Sequence, residues 1–96
     1  MNSVTIRQAG PSDTAALEQL AALDSSRPLQ SPVIVGEVAG ELWAAVSMQD
    51  YTVISDPFRP AGELAFMVVE RARQVERAEG RRDRRHRRLP RLRLAA

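Results

Sequence analysis

The sequence predicts an α+β domain: a mostly antiparallel sheet of about four strands with two helices, in the order β-α-β-β-β-α. Three observations carry this prediction. Runs rich in β-branched residues with two-residue alternation recur over residues 3–8, 33–38, 42–48 and 51–55. Apolar residues spaced by three and four mark helices over 15–23 and from Leu64 onward. The three later strands are joined by short turns, whereas parallel strands need long crossovers, so these strands run antiparallel.

Each element has a local reason. Ser3-Val4-Thr5-Ile6-Arg7-Gln8 is the first strand, and Gly10-Pro11 ends it. Ser12 is the expected N-cap of the following helix, with Asp13 suited to its positive end. In that helix Ala16, Leu17, Leu20 and Leu23 form the apolar stripe, and Asp24 to Pro32 is loop. Val33–Val38 and Leu42–Met48 form a β-hairpin closed by Ala39-Gly40-Glu41. Trp43 is expected to share a strand face with Ala45. Gln49-Asp50 turns the chain into the fourth strand, Tyr51–Ser55, and Asp56 to Pro60 connects it to the last helix. Leu64, Val68, Ala72 and Val75 mark that helix's buried face, and Gly80 is expected to stop it.

Composition narrows the class. The 96 residues are 44% hydrophobic, enough for one small folded domain. There is no cysteine, so disulfides and thiolate metal sites are excluded. The one histidine, His86, lies among arginines, and no metal site is expected. The start, Met1-Asn2-Ser3-Val4-Thr5, lacks the basic and apolar blocks of a secretory signal. The longest apolar run, Ala65–Val69, is far below the ~20 residues of a membrane span, so a cytoplasmic protein is expected.

Charge divides the chain. Residues 1–79 carry six arginines against eleven acids, a net −5, and are read as the folded domain. Residues 80–96 carry eight arginines against Asp83, a net +7, and are read as a disordered basic tail. Every basic residue is arginine, as GC-rich coding DNA favours. Clustered arginine attracts phosphate backbones, so Arg81, Arg82, Arg84, Arg85, Arg87 and Arg88 are the candidate contacts for nucleic acid or an acidic surface.

The segment "VTIRQAGPSDTAALEQLAAL" resembles the opening of GNAT-type N-acyltransferases, through Ile6-Arg7, Ala9-Gly10-Pro11, Asp13 and the helix that follows. "VIVGEVAGELWAAVSM" is similar to that family's central hairpin, through Val35, Glu37, Gly40 and Ala44. The resemblance covers about residues 3–55. It implies the N-terminal portion of a GNAT fold, in which the fourth strand should lead into a Gly-rich loop that holds the pyrophosphate of acyl-CoA at a helix N-terminus. Here that junction reads "SDPFRPAGEL": one glycine, two prolines that lack N–H donors, and the acids Asp56 and Glu63 with Arg59 as the sole counter-charge.

No catalytic residue and no cofactor is therefore assigned, and the expectation leans away from an enzyme. Glu37 and Glu41 read as exposed charges, Asp50 and Asp56 as turn residues, and Arg59 as the partner of Asp56 or Glu63. The favoured function is a catalytically inactive GNAT-like interaction or structural module that self-associates as a homodimer. Its candidate interface is Tyr51, Val53, Ile54, Phe66 and Met67, because the fourth strand lacks its family neighbour. The alternatives are a nucleic-acid or ribosome-associated accessory protein acting through its tail, and an acyltransferase completed by a second chain.

Overall fold

The computed structural model describes the backbone of residues 3–95 and the side chains of residues 3–80. Strand β1 (Val4–Gln8) leads through a 3-10 turn (Pro11–Asp13) into helix α1 (Thr14–Leu23). Strands β2 (Val33–Val38), β3 (Glu41–Ser47) and β4 (Val53–Ser55) follow, then helix α2 (Gly62–Ala95). The four strands form one sheet in the order β1-β2-β3-β4, with every neighbouring pair antiparallel. This is the α+β class that the short turns predict.

One helix covers each face of the sheet. Alternation along β2 sends Ile34 and Val38 to one side, where they join Ala44 and Val46 against Leu64, Val68 and Ala72 of α2. Val33 and Val35 go to the other side, where they join Ala45 and Ile54 against Leu20 and Ala21 of α1. Gly36 sits where α2 comes closest. A Cβ there would lie 2.8 Å from Leu64 Cγ and 2.9 Å from Val68 Cγ1, so only a residue without one lets the helix seat this deeply.

Several local expectations are corrected. β2 and β3 pair Gly36 with Ala44 but Glu37 with Leu42, which leaves Trp43 as an extra residue in a β-bulge. The bulge shifts the alternation by one. Leu42 and Ala45 lie on the α1 face, and Trp43 packs with Ala44 and Val46 on the α2 face rather than beside Ala45. Ser12 caps nothing: it lies inside the 3-10 turn, and Asp13 provides the carboxylate that accepts the Gly10 N–H at 2.7 Å. The α1 stripe is rotated, burying Leu20 and Ala21 while Leu23 is exposed.

β4 begins at Val53, two residues later than predicted. Tyr51 has a φ of 59°, and the Asp50 carboxylate accepts the Thr52 N–H at 3.0 Å, so the turn takes up those residues. α2 continues through Gly80 to Ala95, where a stop at Gly80 and a disordered tail are expected. One glycine costs a helix about 1 kcal/mol, and the arginines, alanines and glutamates around it are good helix formers.

Candidate functional site

The junction between β4 and α2 is the first place to look for chemistry. Asp56 leaves the sheet with its N–H donated to the Trp43 carbonyl at 2.9 Å. Its carboxylate then accepts the Phe58 N–H at 2.8 Å, and its carbonyl accepts the Arg59 N–H at 3.2 Å. The Ala61 N–H donates to the Arg59 carbonyl at 2.8 Å. Pro57 and Pro60 contribute no donor. The loop thus spends its own N–H groups on itself and presents a carboxylate at the place where a phosphate-binding loop presents bare amides.

Arg59 bonds elsewhere than the expected local pair. Its guanidinium lies 3.1 Å from the Glu41 carboxylate and 5.5 Å from the Trp43 ring centroid, while Asp56 is at 4.0 Å. The Trp43 indole N–H is buried and has no acceptor.

A second ion cluster ties β1 to α1. Arg7 donates to both Asp13 carboxylate oxygens, at 2.8 and 2.9 Å, and its Nε donates to Glu37 at 3.2 Å. Glu37 is therefore a half-buried partner rather than an exposed turn charge. The fork-like donation from Arg7, followed by the Gly10 N–H, lowers the Asp13 carboxyl to about 2. The same bonds raise Arg7 above its ordinary value, Asp13 contributing most and Glu37 next.

Both clusters border a cleft of about 270 Å³ on the α1 side, lined by Arg7, Asp13, Glu37, Glu41 and Asp56 with Leu20 among its apolar residues. Its four carboxylates are shared between Arg7 and Arg59. A carboxylate held at about 2 is a poor base near neutrality, which removes Asp13 as a proton acceptor.

The sheet edges differ from expectation. In β4, the Ser47 N–H donates to the Thr52 carbonyl and the Asp56 N–H to the Trp43 carbonyl, so Val53 and Ser55 direct their backbone groups outward. The Ser55 N–H donates to the Asp24 carboxylate at 3.1 Å. Only the Val53 N–H stays open along that edge. In β1, the Ala9 N–H donates to the Val33 carbonyl and Ser3 accepts from the Ala39 N–H, which turns Val4, Ile6 and Gln8 outward. Among the described residues, β1 offers three open donors to β4's one.

The five candidate interface residues do not form one surface. Phe66 is 66% exposed, Met67 40% and Val53 37%. Ile54 is fully buried under α1, and Tyr51 is half-buried, its hydroxyl donating to Glu76. That bond raises the Tyr51 hydroxyl above its ordinary value, with burial adding to it. The side chains of Arg81, Arg82, Arg84, Arg85, Arg87 and Arg88 lie outside the described residues.

Sequence reasoning missed the Arg7–Asp13–Glu37 cluster and the Asp24 cap. Their partners lie 6, 30 and 31 positions apart, and no periodicity links them. Among the described residues there is no group of three or more acids or histidines placed to hold a metal. None of the described helices is long and apolar enough to cross a membrane. Comparison of the chain with protein-family models, with curated proteins and with solved structures finds no match.

Proposed function

We propose that this chain is a GNAT-like domain without acyl-CoA chemistry that works by self-association, pairing through the β1 edge. The element order and antiparallel sheet support the kinship, since they follow the sequence motifs in Ile6-Arg7, Asp13, Glu37 and Gly40. The self-bonded junction of Asp56, Phe58 and Arg59 supports the lack of a pyrophosphate site.

The observation that carries the interface is the row of outward N–H groups on Val4, Ile6 and Gln8. Unpaired strand edges recruit further strands, and a two-fold axis closes such a contact without building a fibre. Val4 is 53% exposed beside this edge and gains cover from a second copy. The sequence pointed to β4 instead, but Asp24 takes one of its two outward donors.

Light scattering at high micromolar concentration is expected to give twice the 10.6 kDa chain mass. Gln8→Pro removes an outward donor without touching the β1–β2 ladder and should yield monomer, while Val53→Pro should leave the dimer intact. A wild-type monomer would refute self-association. Loss of the dimer in Val53→Pro alone would return the interface to β4, Phe66 and Met67. Acetyl-CoA should give no saturable calorimetric signal, and a low-micromolar one would overturn the non-catalytic reading.

A further inference from the structure

We propose that the C-terminal part of α2 is a docking element for B-form duplex DNA, bound through its phosphates without base specificity. The last buried position on α2 is Ala72, and no residue from there to Gly80 is buried. The helix nevertheless continues to Ala95, and its 34 residues, at about 1.5 Å each, account for most of the 57 Å long dimension of the molecule. The charge changes at the same place. Residues 62–80 hold four acids against three arginines, and residues 81–95 hold eight arginines against Asp83. The acidic domain repels phosphate, so a polyanion docks only on the distal segment.

The register of that segment selects the partner. At about 100° per residue, the eight arginines take positions over roughly 240° of the circumference. The remaining third holds Asp83, His86, Pro90 and Leu94. A major groove ~12 Å wide admits a helix and surrounds it with phosphates on all but one side, which is the distribution found here. A membrane surface asks for the opposite, one apolar stripe with charge behind it. Leu89 and Leu92 share a side, but Leu94 lies about 140–160° away, so no such stripe exists. The deep, narrow major groove of A-form RNA excludes a helix.

Binding also stabilises the helix. Arg81 and Arg85, Arg84 and Arg88, and Arg87 and Arg91 are like-charge pairs four apart, which oppose helix formation. Phosphates placed between them remove that repulsion, so DNA and helicity are coupled.

The test uses the full chain with a fluorescein-labelled 20-base-pair DNA duplex of arbitrary sequence, followed by anisotropy and by circular dichroism at 222 nm. Neutralising about five phosphates gives a log–log salt slope near −4.5, hence roughly a 500-fold weaker affinity at 200 mM than at 50 mM salt. Helicity should rise on binding. The triple variant Arg84→Glu, Arg87→Glu, Arg88→Glu should lose on the order of 100-fold or more. Arg27→Glu, outside this helix, should bind unchanged. A slope shallower than about −2, no rise in helicity, or full affinity in the triple variant would each overturn the proposal. So would equal binding to an RNA duplex, or binding confined to phosphatidylserine vesicles.

Discussion

Gly36→Ala tests the packing of the whole α2 face. The new Cβ would stand 2.8 Å from Leu64 Cγ and 2.9 Å from both Leu64 Cδ1 and Val68 Cγ1. Carbon atoms rest at about 3.5–4.0 Å, so each contact is short by roughly 0.6 Å or more. Leu64 Cγ is the branch point of its side chain, not a free end, so relief requires a new rotamer or a shift of α2. Overpacking of this kind costs about 1–3 kcal/mol, and the lower entropy of an unfolded alanine offsets about 0.4–1. The expected net loss is about 1–2 kcal/mol. For a domain of this size that lowers the melting temperature by roughly 5–15 °C, measurable by circular dichroism. Adding Leu64→Ala opens space, so the double variant should lose less than the sum of the two single losses, with a coupling of about 1 kcal/mol. A Gly36→Ala protein that melts at or above wild type would show that α2 does not seat on Gly36.

Three further outcomes are expected. Asp13→Asn should lose about 1–2 kcal/mol at pH 7, discounted because Arg7 is partly exposed. The carboxyl is lowered from 3.8 to about 2 on folding, so its contribution is complete above 3.8 and lost as pH falls toward 2; the gap between variant and wild type in urea unfolding should close over that window. Ile54→Ala should cost about 2–5 kcal/mol and Val53→Ala under about 1 by thermal melting, because only Ile54 lies wholly under α1. Trp43→Phe should change stability by less than about 1 kcal/mol, since the buried indole N–H that it removes has no acceptor; a loss above 2 would reveal a bond there.

The hairpin, both helices and the antiparallel sheet were legible because each rests on neighbours in the chain. β-branched alternation marks Val33–Val38, a tight turn allows only an antiparallel partner, and spacings of three and four mark Leu64, Val68 and Ala72. The bulge at Trp43 was not legible. One extra residue exchanges the faces of Leu42 and Trp43, and only the register against β2 reveals it. The ion cluster of Arg7, Asp13 and Glu37 needs three separate elements brought together before its geometry exists. The open edge is decided in the same way. Sequence order makes β4 the outer strand beside a missing neighbour, but Asp24, 31 residues earlier at the end of α1, occupies one of its donors and leaves β1 the barer edge. Short-range patterns determine which elements form, because propensity and burial act within a few residues. Which side chains meet, and which backbone donors stay free, is set by long-range packing.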